Sequence, residues 1–295
     1  MSGGDMVSDW DVAEHDVSEV YDGDRPAIAR LWAFWGGGRD FNPVDRALGE
    51  KVAARFPQIE SLALHRLAFR SRVTRALVGE GIDQLLVVGV DLPMDDDVHI
   101  IAQSINPDAR VVYADADELV MLHAGACFFS DTAGACGFVR AGVEDPRAVL
   151  VGAADTLDLS RPVAVLLINS LDVLGDPQAV TALSAFRTLL AVGSYIAFCH
   201  LTAEHDRRLV ELGRMCADIA PGPLGVRNPA VLETLCAGMV MVEPGLVPAP
   251  AWRPDLGQPP IPSGVDLWCG VGRIRGPRSV FNSSLSSSLL TKAGI

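Results

Sequence analysis

Chemistry in this sequence concentrates where short apolar runs end in acidic or polar residues. The first such place is Val87-Val88-Gly89-Val90-Asp91-Leu92-Pro93, followed by Asp95-Asp96-Asp97. Gly89 lets a ligand approach the backbone, but these carboxylates would repel a pyrophosphate, and the successive glycines of a dinucleotide turn are missing. A cationic ligand such as a sulfonium amino acid suits the segment better, with Asp91 a binding and catalytic candidate that faces the positive charge. The alternative is that the aspartates only cap the next helix. The second place is Tyr113-Ala114-Asp115-Ala116-Asp117. A carboxylate about 20 residues or slightly more beyond the first glycine turn can accept hydrogen bonds from both hydroxyls of a ribose, which makes Asp115, with Ala116 beside it, a binding candidate.

Three further segments carry weaker signals. In Gly142-Val143-Glu144-Asp145, Glu144 can reach an adenine amino group, or Asp145 simply caps a helix. Asn169-Ser170-Leu171-Asp172 offers Asn169 as a ligand contact and Asp172 as a general base or ammonium ligand; a solvated loop aspartate is the alternative. His200, in Cys199-His200-Leu201-Thr202, is a second candidate base or a structurally hydrogen-bonded histidine. Near the N-terminus, Trp32-Ala33-Phe34-Trp35-Gly36-Gly37-Gly38-Arg39-Asp40 places two tryptophans beside three glycines. Trp32, Trp35, Gly37 and Arg39 suit a lid that stacks on a flat or cationic ligand, and core packing followed by a loop is the other reading.

The elements that must position these residues are legible as periodicity. Apolar runs over 85–90, 111–114, 163–168 and 195–198, with a weaker one over 138–141, are bounded by Gly, Asp, Pro or Asn, as buried parallel strands are. Helical patterns over 95–105, 117–127, 145–151 and 177–190 alternate with them, which predicts a doubly wound α/β sheet. Such a sheet binds ligands outside the carboxyl ends of its strands, where strand order reverses. Residues 204–219 and 229–236 read as helices, and 239–247 and 267–274 as two late strands forming an antiparallel pair at one edge. The opening third reads as helices over 27–35, 44–56 and 62–79, the last with a basic polar face of Arg66, Arg70, Arg72 and Arg75. The division this predicts is an acidic tail over 1–24, a helical cap with the lid over 25–80, the ligand-binding α/β domain over 81–275 and a C-terminal extension over 276–295.

Composition narrows the partners. A formal net charge of -13 in 295 residues opposes unspecific attraction to nucleic acid or anionic membranes, which favours a small-molecule substrate. No apolar run reaches the length of a membrane helix and the N-terminus is acidic, so a cytoplasmic location is expected. A homodimer is compatible with the sequence. Six cysteines lie far apart without a Cys-x-x-Cys pair, and six histidines show no ligand spacing, so structural thiols and no metal site are expected.

Taken together, these residues resemble a family of bacterial S-adenosylmethionine-dependent methyltransferases common in filamentous soil bacteria and specialised-metabolite clusters. The resemblance runs from about Arg25 to Arg273. It is carried by Arg25-Pro26-Ala27 through Gly37-Gly38-Arg39-Asp40, Gly81-Ile82-Asp83-Gln84, Asn106-Pro107-Asp108-Ala109-Arg110, Arg161-Pro162-Val163, Gly193-Ser194-Tyr195, Glu243-Pro244-Gly245 and Trp252-Arg253-Pro254-Asp255. It implies a class I methyltransferase fold: a Rossmann-like, mostly parallel seven-stranded sheet with an antiparallel edge strand and an N-terminal helical cap. It also implies S-adenosyl-L-methionine as cofactor, with Gly89 and Asp91 in the first cofactor motif, Asp115 at the ribose, and Glu144 and Asp145 flanking the adenine. Three positions depart from the family pattern. Its Gly-Thr-Gly is here Gly89-Val90-Asp91, an aspartate is replaced by Gly142, and a histidine by Asp172. Three functions follow: methyl transfer to a small acceptor; intramolecular cyclisation of the cofactor to 1-aminocyclopropane-1-carboxylate with release of methylthioadenosine, a lyase reaction; or a non-catalytic binding protein on the same fold.

Overall fold

A computed structural model describes residues 25–130, 132–216, 219, 224–257 and 261–276. The acidic tail over 1–24 and nearly all of the C-terminal extension lie outside the described residues.

Five strands form the parallel part of one sheet: β1 (Gln84–Val88), β2 (Arg110–Asp115), β3 (Ala135–Arg140), β4 (Ala164–Ile168) and β5 (Tyr195–Leu201). Every residue of β1, β4 and β5 is buried, because helices cover both faces and no polar alternation is needed. Three late strands complete the sheet: β6 (Met239–Met241), the two-residue β7 (Val247–Pro248) and β8 (Leu267–Ile274). The order is β3-β2-β1-β4-β5-β8-β6, with β8 antiparallel to β5 and β6, and β7 paired with β8 beside the main path. The predicted seven-stranded sheet with an antiparallel edge is therefore present, with β7 as an eighth, short strand. The 239–247 strand is interrupted by a turn at Glu243-Pro244-Gly245 and becomes β6 and β7.

The first three helices are α1 (Ile28–Trp35), α2 (Pro43–Arg55) and α3 (Ile59–Gly79). They share one hydrophobic core with one face of the sheet: Leu31, Trp35, Phe56, Phe69 and Leu77 belong to the same cluster as Leu85, Val111 and Leu166. The other face, through Leu86, Val112, Val165 and Phe198, packs a second cluster under later helices. Those helices include α6 (Pro146–Ala153), α7 (Asp176–Leu189) and α9 (Pro229–Leu235), while α4 (Val98–Ile105) and α5 (Glu118–Cys127) lie on the first face with the N-terminal helices.

Local chemistry sets the helix starts. Asp117 caps α5 by accepting from the amides of Leu119 and Val120, and Asp145 caps α6 by accepting from Ala148. The helix expected from Asp95 begins at Val98, because Asp97 takes the N-cap position and turns its carboxylate back onto the Met94 amide at 2.9 Å. Of the helix expected over 204–219, a 3-10 turn (Arg207–Leu209) and the six-residue α8 (Val210–Met215) are present; 217, 218 and 220–223 lie outside the described residues.

Of the basic face expected on α3, only Arg75 is exposed, where it pairs with Asp255. Arg66, Arg70 and Arg72 are all buried. Arg72 donates to the carbonyls of Trp252 and Ala249, and Arg66 and Arg70 reach carboxylates beyond β1. A guanidinium's five donors let it be buried wherever carbonyls or carboxylates converge.

Candidate functional site

Strand order reverses between β1 and β4, and a cavity opens there at the carboxyl ends of β1 to β4. Each strand contributes the residue that follows it: Gly89 after β1, Asp115 and Ala116 from β2, Gly142 and Glu144 after β3, and Asn169 with Ser170 after β4. From α1, Ile28, Ala29 and Trp32 form the roof, and Arg66 reaches in from α3.

Gly89 adopts a positive φ of 85°, and a Cβ there would lie 2.6 Å from Ser170 Oγ, so both backbone and neighbour require glycine. Ser170 Oγ in turn donates to the Val88 carbonyl, which ties the ends of β1 and β4 together. Asp115 is held by two backbone amides, those of Val90 and Asp117, each at 2.8 Å. Burial nevertheless pushes its carboxyl up to about 6, because the two amides do not fully replace lost water and the neighbouring acids Asp117 and Glu144 raise it further. Glu144 is exposed and folds back over Gly142: a Cβ at Gly142 would lie 2.2 Å from Glu144 Oε2.

Asp91 lines the cavity, yet both of its oxygens are taken. Arg66 grips them as a fork at 2.6 and 3.0 Å, and Arg70 adds a third bond at 2.9 Å. Burial alone would raise this carboxyl, but the two guanidiniums hold it below the usual carboxylate range. The geometry thus pairs Asp91 with protein cations, whereas its sequence position pointed to a ligand's positive charge. The cause is the burial of the α3 arginines. Arg66 is the single cationic side chain lining this cavity among the described residues, and it stacks 4.9 Å over the Trp32 ring. Sequence reasoning missed Arg66 as a site residue. The available signal was two arginines one helical turn apart preceding a dense acidic run.

Asn169 also lines the cavity, in a left-handed conformation with φ of 63°. Its amide nitrogen donates to Asp172 at 2.6 Å, and its Oδ1 is buried with no partner among the described residues. That orphan acceptor matches an ammonium donor, and the fixed carboxylate of Asp115 matches a diol, so the residues present fit S-adenosylmethionine.

Asp172 and His200 are brought together, but away from the cavity. His200 Nε2 lies 3.0 Å from Asp172 Oδ1, and both side chains are 0% exposed. The chain after β4 coils inward as a 3-10 turn (Ser170–Val173), which takes Asp172 beneath the strand ends instead of into a solvated loop. His200 Nδ1 contacts the Leu201 carbonyl, and Arg227 reaches both the imidazole and the Leu171 carbonyl. Neither residue lines the cavity, so neither reaches a ligand there directly.

The lid candidates separate. Trp32 and Trp35 are both buried and meet edge to face with centroids 5.3 Å apart; Trp32 faces the cavity, while Trp35 Nε1 donates to the Gly49 carbonyl. Gly37 is an exposed turn residue with φ of 84°. Arg39 stands on a second opening with Asp40, Phe41, Leu92, Leu119, Leu122 and His123, and this opening shares Val120 with the first cavity.

The described residues contain no cluster able to hold a metal ion and no helix long and apolar enough to cross a membrane. All six cysteines are free thiols, with Cys199, Cys216 and Cys269 buried.

Comparison with known proteins gives this geometry a family. The chain resembles a DUF574 family protein from Streptomyces avermitilis at 30% identity and a TM-score of 0.79, over 85% of this chain and 98% of that one. A protein from Thermobifida fusca described as a methyltransferase is 32% identical with the same TM-score, over 86% of this chain and 97% of that one. No curated protein matches. A family model described as S-adenosyl methyltransferase matches residues 14–275. The chain therefore belongs to the S-adenosyl methyltransferase family, and its cofactor is S-adenosyl-L-methionine.

Proposed function

We propose that the cavity at the ends of β1 to β4 binds S-adenosyl-L-methionine and that the protein transfers its methyl group to a small-molecule acceptor. The observation that carries this reading is the convergence of Gly89, Asp115, Glu144 and Asn169 on one cavity at the reversal of strand order. Bound there, the cofactor supplies a methyl group on a sulfonium, an electrophile that needs alignment more than activation. Asp115 accepts from the ribose hydroxyls, Glu144 receives the adenine amino group, and Asn169 Oδ1 accepts from the ammonium. Trp32 and the rest of the α1 roof exclude water. The acceptor enters through the second opening, whose floor of Leu92, Leu119 and Leu122 suits an apolar body and whose rim carries Arg39 and Asp40. Asp172 and His200, sealed from the cavity, position Asn169 and the turn that carries it.

The test is calorimetric titration with S-adenosylmethionine and S-adenosylhomocysteine, then incubation with S-adenosylmethionine with and without a panel of small phenols, amines and carboxylic acids. Binding with S-adenosylhomocysteine formed only when an acceptor is present supports the reading. Methylthioadenosine formed without an acceptor replaces methyl transfer with cyclisation. Binding without either product in any mixture leaves the non-catalytic reading, and absence of binding overturns the site.

A further inference from the structure

Arg66 presents to the cavity the group best suited to a ligand carboxylate, a planar fork of two N–H donors, and Asp91 already fills that fork. Around it lie three carboxylates, Asp91, Asp96 and Asp97, against the two guanidiniums of Arg66 and Arg70. The cavity's other charged lining groups, Asp115, Asp117 and Glu144, are all acidic. Among the described residues, a ligand carrying a free carboxylate thus meets no cation in the cavity lining that is not already paired, and four acids surround it.

We propose that Asp91 is a specificity-determining residue that occupies on Arg66 the place of a ligand's amino-acid carboxylate, so that the cavity holds adenosyl thioethers and sulfoniums lacking that carboxylate as well as those carrying it. This rests on the cavity being the S-adenosylmethionine site. Removing the Asp91 side chain frees a buried guanidinium that lines the cavity, and a ligand carboxylate can then take both of its donors. The gain belongs to ligands with a carboxylate and to no others.

S-adenosylhomocysteine and S-adenosyl-3-thiopropylamine make the comparison, since both keep adenosine, thioether and amine and only the first has the carboxylate. Titration calorimetry on the full chain measures both against wild type, Asp91→Gly and Asp91→Asn. The wild type is expected to bind the two within about threefold of each other, and Asp91→Gly to tighten S-adenosylhomocysteine about tenfold or more while leaving the amine unchanged. Asp91→Asn, which leaves Arg66 one acceptor but no charge, falls between and decides the matter if the glycine variant does not fold. A wild-type preference of about a hundredfold for the carboxylate ligand overturns the inference, and so does an equal shift for both ligands in the variants. Binding of neither ligand to the wild type sinks the site reading itself, whereas binding of both with a ratio indifferent to residue 91 sinks only this inference.

Discussion

Asp115 makes two demands on an experiment, one on magnitude and one on pH. Its carboxylate is oriented by the Val90 and Asp117 amides, each at 2.8 Å, which leaves lone pairs aimed into the cavity for two ribose hydroxyls. Each hydrogen bond to an ionised group is worth about 1.5–3 kcal/mol, so Asp115→Ala is expected to cost about 3 kcal/mol, roughly a hundredfold in Kd after water returns to the site. The pH dependence follows from burial, which raises the carboxyl to about 6. Only the ionised form accepts from both hydroxyls, so affinity falls as pH drops through that value, by about tenfold per pH unit below it. Stability of the unliganded protein runs the other way. A carboxyl whose folded pKa lies above its unfolded value contributes stability at low pH that is lost as pH rises through about 6. Titration calorimetry across this range, beside denaturant melts of the unliganded protein, reads both signs. Affinity that stays flat across it, or a wild-type slope reproduced in Asp115→Asn, would refute the reasoning.

Three other outcomes follow from neighbouring groups. Burial pushes the Asp97 carboxyl up to about 7 against the pull of Arg70, so its ionised form burdens the fold; Asp97→Asn should raise Tm by a few degrees above pH 8, with the gain fading as pH falls below 7. Asp172→Asn or His200→Gln disturbs a buried polar group of Asn169, Asp172, His200 and Arg227 and should cost about 1–3 kcal/mol in urea unfolding while the surviving folded protein keeps its pH–rate profile; full stability with a vanished acidic limb of that profile would instead make one of them the base. Asn169→Gly preserves the left-handed backbone and removes the orphan acceptor, so S-adenosylhomocysteine should bind about tenfold more weakly while methylthioadenosine, which has no ammonium, is unaffected; equal losses for both ligands would remove Oδ1 from the ammonium contact.

The sheet was legible because burial on both faces writes itself as continuous apolar runs, as over 85–88 and Ala164–Ile168. The strand ends were legible for the same reason, since polar residues can only begin where the covering helices stop. Depth beyond the strand ends was not. Asp172 sits four residues past β4 as a loop residue would, and the inward 3-10 turn and the Asn169 contact bury it. The α3 arginines misled in the opposite direction, because helical periodicity distinguishes polar from apolar faces without telling water from buried carboxylate. Arg66, Arg70 and Arg72 stand on such a face and are buried by partners 25, 26 and 180 residues away.

The acids around the cavity become consistent with one another once charge is followed in space instead of along the chain. Gly142 leaves a gap that the Glu144 carboxylate fills, since a Cβ at 142 would sit 2.2 Å from it, and this keeps an acid at the rim of the cavity. At the end of β1, Asp91 brings no unpaired charge because Arg66 and Arg70 meet it with three bonds. A lone buried carboxylate there would be forced toward neutrality by desolvation, and a lone buried Arg66 would have to find another anion. Each is therefore the condition for the other, so Asp91→Gly and Arg66→Met are expected to be non-additive, the double variant losing less stability than the two single losses summed.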